Sequence, residues 1–179
     1  MKNKRKVLKT DKRRVELISY DSNWKDMYKE ESEKIKDVLS DIIIDIHHIG
    51  STAIPGIKSK PVIDILVEVK DIEAVDQYNN KIEELGYEVM GEHGIPKRRF
   101  FRKGGNKRTH HIHIFKVGNE EIERHINFKE YLIAHPDKAR EYSKLKEKLA
   151  NKYTYDVENY TNSKSDFIKK INRKAKLWW

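Results

Sequence analysis

The sequence predicts an α+β protein with a helical C-terminal part. Short β-branched, apolar runs such as "IIIDIHHI" and "PVIDILVEV" alternate with helical stripes up to about residue 118. Helical patterns alone follow, over 119–175. Strands mixed with helices, then helices by themselves, is the order of an α+β chain. The length of 179 residues suits one domain with its own core, and no internal repeat or low-complexity linker divides it.

The elements follow in order. Residues 1–14 hold Lys2, Lys4, Arg5, Lys6, Lys9, Lys12, Arg13 and Arg14 with little to bury, and are expected to form a flexible basic arm ahead of a single domain over 15–179. "VELISY" reads as a short strand. Asp21 or Ser22 caps a helix that runs to Ser40, its stripe formed by Trp24, Met27, Tyr28, Ile35, Val38 and Leu39. "IIIDIHHI" and "PVIDILVEV" are strands, the second entered through Pro61, which has no N–H for a ladder. A helix is expected over Ile72 to Leu85, closed by Gly86. "YEVMGE", "KRRFFRK" and "THHIHIF" are three more strands, the last two joined by a turn at Gly104-Gly105-Asn106. Pro136 starts a helix within 120–150, and a last helix runs from Asn162 to Lys174, capped by Thr161 or Asn162.

Composition narrows the function. Hydrophobic and charged residues each make up 37%, an ordinary core under a very polar surface, and the net charge is +9. A basic excess favours nucleotides, nucleic acid or acidic metabolites as partners, although a lysine-rich composition explains it at least as well. The absence of cysteine excludes disulfides, zinc ribbons and thiol catalysis. The basic N-terminus leads into no apolar run of signal-peptide type, and nothing reaches the roughly 20 residues of a membrane span. A cytoplasmic protein with no membrane partner is expected.

The chemistry concentrates in "HHIGSTAIPGIKSKPVIDILVEV" (47–69). Gly50 lets the backbone turn sharply and approach a ligand. Ser51 and Thr52 offer hydroxyls and amides to phosphate oxygens, with Lys58 and Lys60 close in sequence. Alternation along the second strand puts Ile63, Ile65, Val67 and Val69 on one buried face and Val62, Asp64, Leu66 and Glu68 on the other. Asp64, an acid in an apolar strand, needs either a cationic partner or a metal. In "THHIHIF", His110, Ile112 and Ile114 share the buried side, and Thr109, His111, His113 and Phe115 the opposite one. If this strand lies beside that of Asp64, then Asp64, His111 and His113, joined by His48, form a mixed site suited to Mn²⁺, Fe²⁺, Ni²⁺ or Zn²⁺ more than Mg²⁺. Hydrogen-bonded structural histidines are the alternative. Of Arg98 and Arg99, one should point to the histidine side and grip a phosphate. Lys164 can close over the cleft, and Tyr160 reads as packing.

These blocks, with "GIPKRRFFRKG", "RTHHIHIF", "FKEYLIAHPDKAREYSKLKEKLA" and "YTNSKSDFI", closely resemble the GrpB family, placed in the nucleotidyltransferase-fold superfamily. The resemblance implies a nucleotidyltransferase-like mixed β-sheet flanked by helices. It implies phosphate at Gly50 and Ser51 and a divalent metal, Mg, Mn or Zn, on Asp64. Leu66 stands where the superfamily places a second metal-binding acid, and Glu68 lies on the Asp64 face but about 6.6 Å beyond Leu66, roughly 13 Å along the strand from Asp64. Members fused to dephospho-coenzyme A kinase point toward nucleotide or coenzyme A metabolism.

Three functions compete. One is transfer of a nucleoside monophosphate from a nucleoside triphosphate to an unknown acceptor. The second is a non-catalytic module binding a nucleotide or another phosphorylated metabolite, which Leu66 favours. RNA binding, from the +9 charge and the basic arm, ranks third.

Overall fold

The computed structural model describes residues 13–179, so most of the expected basic arm lies outside the described residues. The first helix, α1 (Asn23–Val38), buries Trp24, Glu31, Ser32 and Ile35. Ser22 makes no side-chain cap there; the Asp21 carboxylate accepts from the Asn23 amide at 2.9 Å. The expected strand at "VELISY" reduces to one bridge, Ile18 to Ser59.

Five strands follow: β1 (Ile43–Ile49), β2 (Ile63–Val69), β3 (Tyr87–Val89), β4 (Arg99–Lys103) and β5 (His110–Lys116). They form one mixed sheet in the order β1-β2-β5-β4-β3, parallel only between β2 and β5. The expected helix over 72–85 is split into a 3₁₀ segment (Glu73–Tyr78) and α2 (Asn79–Glu84). The reason lies in the spacing of Ile72, Val75 and Tyr78. Side chains three apart line up on one side of a 3₁₀ helix, and all three pack on the core.

One sheet face carries the main core. Ile63, Ile65, Val67, Val69, Phe101, Ile112 and Ile114 pack there against Trp24, Ile35, Leu39, Val75 and Ile82. The other face is covered in its middle by α3 (Glu120–Ala134), through a smaller cluster of Ile49, Leu66, Phe115 and Ile122. Then come α4 (Pro136–Lys152, with proline in its first turn), α5 (Val157–Ser163) and α6 (Ser165–Trp178). The final helix is thus two, with Asp156 capping the first of them through the Asn159 amide; the expected cap at Thr161 or Asn162 falls inside α5. Ile54, Ile57, Leu132, Tyr142, Ile171 and Ala175 join this helical part to the loop after β1. No helix among the described residues is long and apolar enough to cross a membrane.

Candidate metal centre

The parallel pairing of β2 with β5 sets His111 beside Asp64 and His113 beside Leu66. Because the strands alternate in step, all four side chains leave the same sheet face. Asp64 Oδ1 lies 3.3 Å from His111 Nδ1 and 3.1 Å from His113 Nε2. One ligand atom from each of the three residues falls within 4.8 Å of the others, a spacing that one metal ion can bridge. Burial pushes the Asp64 carboxyl up, but hydrogen bonds and positive charge from His111 and His113 outweigh it and hold the group well below the usual carboxylate range. Burial lowers His113, against the pull of Asp64.

The turn after β1 closes over this cluster. Gly50 adopts φ +74°, and its α-carbon faces the Asp64 carboxylate so closely that a Cβ would sit 2.6 Å from Oδ2. Only glycine fits both demands. Ser51 begins a 3₁₀ turn (Ser51–Ala53). Thr52 does not face a ligand: it is 1% exposed, donates to the Val62 carbonyl and bonds His48 Nε2 at 2.9 Å.

His48 does not join Asp64. It pairs with Ile65 across β1 and β2, so it leaves the opposite sheet face and stacks on Tyr28 of α1 at 4.8 Å. Burial pushes it down to about 4, which suits a neutral, packed imidazole. Glu68 also stays apart, bonded to His47 at 2.8 Å. Leu66 is fully buried between Ile49, Phe115 and Ile122, so apolar packing occupies the place of a second acid.

The two arginines separate. Arg98 turns to the histidine side, donates to the carbonyls of Glu92 (3.2 Å) and His93 (2.8 Å), and reaches His113 Nδ1 at 3.4 Å. Arg99 turns away and is paired with Asp76 at 2.7 Å, so it is no phosphate ligand in the cleft. Alternation predicted this split but not its direction.

Two further residues escaped the sequence reading. His125 of α3 lies with its ring 5.7 Å from that of His113, and shares a cavity of about 200 Å³ with Gly50, Asp64, Arg124, Phe128 and Ile168. Burial, then the Arg124 charge, pushes it down to about 3. Its signal was there: His125 follows Ile122 by three on the apolar side of α3. Lys146 was legible in the same way, since it falls in line with Ala139, Tyr142 and Leu149 on the buried stripe of α4. Lys60 and Lys164 come near it, both over the Tyr160 ring.

The fold and the site together define an α+β protein with an Asp–His–His cluster under a glycine turn. The family described as "GrpB protein" matches residues 14–174, and the chain belongs to the GrpB family. The UPF0157 protein YqkA of Bacillus subtilis is 48% identical over 167 residues, 93% of this chain and 49% of that protein. This chain thus spans about half the length of YqkA. The glutamate-rich protein GrpB of Alkalihalophilus pseudofirmus is 35% identical over 92% of this chain and 98% of its own length. The crystal structure of the conserved protein GrpB from Enterococcus faecalis superposes with a TM-score of 0.88 at 41% identity, over 92% of this chain and all of that one. A dephospho-CoA kinase of Mycolicibacterium paratuberculosis is 22% identical over 92% of this chain and 46% of the kinase.

Proposed function

We propose that this protein is a divalent-metal-dependent transferase that moves a nucleoside monophosphate from a nucleoside triphosphate to an acceptor. One observation carries the reading: the Gly50 backbone is pressed against a carboxylate that two histidines clasp. A phosphate cradled by the turn therefore lies next to the metal donors. Asp64, His111 and His113 would hold Mn²⁺ or Zn²⁺ more readily than Mg²⁺, because imidazole ligands suit those ions. Such an ion would supply charge neutralisation on the transferred phosphoryl group. The chain's own residues position. Gly50 and Ser51 orient the phosphates, and α3 with His125, Phe128 and Ile168 walls the cavity. In the transfer, the acceptor's hydroxyl or amine would bond to the α-phosphorus and release its proton to solvent, the α–β bridge would break, and pyrophosphate would leave.

Leu66 favours a second reading, a nucleotide-binding module without turnover, because it packs with Ile49, Phe115 and Ile122 and brings no second carboxylate beside Asp64. The dephospho-CoA kinase relative suggests nucleotide or coenzyme A metabolism for either reading. RNA is less well supported, since Phe100, Phe101 and Phe115 on the strands are buried and offer no stacking platform.

The test is a thermal-shift screen with ATP, CTP, GTP, UTP and coenzyme A, each with Mg²⁺, Mn²⁺, Zn²⁺ or chelator. A ligand that binds only the folded state raises the melting temperature. The expected result is a metal-dependent rise with a triphosphate that disappears in Asp64→Asn and persists in His48→Gln. No rise with any triphosphate would overturn the proposal. Product formation abolished by Asp64→Asn separates the transferase from the binding module.

A further inference from the structure

Three lysines reach one place from three separate segments. Lys60 comes from the loop before β2, Lys146 from the buried stripe of α4, and Lys164 from the joint between α5 and α6. The Lys60 and Lys164 ammonium groups lie 5.3 and 4.5 Å from the centre of the same ring, Tyr160. The Lys146 ammonium lies 4.7 Å from the centre of Tyr142 and donates to the Lys58 carbonyl.

Among the described residues, no carboxylate lies within ion-pair distance of any of the three. The contrast is Lys103, a part-buried lysine that meets Glu31 at 2.9 Å. Burial, followed by mutual repulsion, pushes Lys146 down to about 7 and Lys164 to about 8. The fold thus brings three amines together against both desolvation and their own charge. Charge without a paired carboxylate, on stems packed against aromatic rings, is pre-organised for an anion that arrives later.

The position of the cluster suggests which anion. Tyr142, whose ring lies under the Lys146 ammonium, packs with Ile54 and Ile57 of the segment that follows the Gly50–Ser51 turn. Asp64 is near enough to favour the charged forms of Lys60 and Lys164. The lysines therefore border the segment that carries the glycine turn.

We infer that Lys60, Lys146 and Lys164 form a polyphosphate subsite beside the Gly50–Ser51 turn, so that the ligand carries two or more contiguous phosphates. The inference rests on the phosphate-handling reading above and names the part of the ligand that the metal donors do not hold. The three ammonium groups are spread over two tyrosine rings and so offer separate points of contact to successive phosphates. Lysine is a point-charge binder of phosphate and needs no metal for this contact.

The probes are inorganic orthophosphate, pyrophosphate and tripolyphosphate, titrated calorimetrically into the intact protein in chelator. Affinity is expected to rise along that series, and to fall at least tenfold for tripolyphosphate in both Lys60→Met and Lys164→Met. Asp64→Asn is expected to keep that affinity or tighten it, which separates this subsite from the metal reading. Neither lysine variant is expected to melt below the parent without ligand, because each removes a charge that its neighbours repel. Absence of polyphosphate binding, equal affinity for orthophosphate and tripolyphosphate, or unchanged affinity in both lysine variants would overturn the inference. Polyphosphate binding in chelator with no metal effect in the thermal-shift screen would sustain it while removing the transferase.

Discussion

Gly50 and Asp64 face each other so closely that a methyl group on the glycine would sit 2.6 Å from the carboxylate Oδ2. The turn and the acid, fourteen positions apart in the chain, are one unit, and the antiparallel pairing of Ile49 with Asp64 makes them so.

Gly50→Ala is therefore a sharp test of that unit. The variant meets a steric clash at Oδ2 and a positive φ that alanine avoids. Strain of this kind costs about 1–3 kcal/mol. In a chain of this size each kcal/mol lowers the melting point by about 2–4 °C. A fall of several degrees and loss of metal-dependent nucleotide binding are expected; calorimetry reads the first and a metal titration the second. An alanine variant that melts and binds like the parent would show that the turn is not tied to Asp64.

Arg98 and Arg99 are neighbours with opposite consequences. Arg98 is 6% exposed and satisfies two carbonyls, whereas Arg99 is paired with Asp76, whose own side chain is half in water. Losing hydrogen bonds from a buried charged group costs about 1.5–3 kcal/mol, while an exposed ion pair contributes about 1 kcal/mol or less. Arg98→Ala should lower the melting temperature by at least twice as much as Arg99→Ala. A histidine that binds metal through Nε2 carries its proton on Nδ1 and cannot accept from Arg98. Arg98→Ala should therefore leave divalent-metal affinity equal or stronger, measured by calorimetry.

Stability should rise with pH over the range where Lys146 differs between folded and unfolded chains. Its ordinary value is 10.5 and burial brings it to about 7 in the fold. Between these values the unfolded chain binds more protons, so unfolding becomes harder as pH rises. Below about 7 both states are protonated and the full cost of burying the charge remains. Lys164, lowered to about 8, acts in the same direction over a narrower window. A melting temperature that climbs from pH 7 to 9 in the parent, and climbs less in Lys146→Met, is the expected result. Equal slopes would show that Lys146 is not held in an unfavourable environment.

The sequence alone determined much of the sheet. β-branched runs bounded by glycine and proline marked the strands, and period-two alternation placed Asp64, His111 and His113 each on the face opposite the core. Alternation is a local property, imposed by the pleat on every strand alike. It could not say which strands are neighbours. That β5 lies parallel to β2, in the register that sets His111 beside Asp64, is a fact of topology. So is the exclusion of His48, whose offset by one residue on β1 sends it to α1. The direction of Arg98, the approach of His125 and the meeting of Lys60, Lys146 and Lys164 depend on how helices distant in the chain dock. The same physics limits the reading of the helices: pattern located them, but the 3₁₀ break at Tyr78 and the division near Lys164 are settled by what each turn packs against. Local chemistry is written in residue order, whereas a site is made by contacts between residues far apart, and only tertiary packing chooses those.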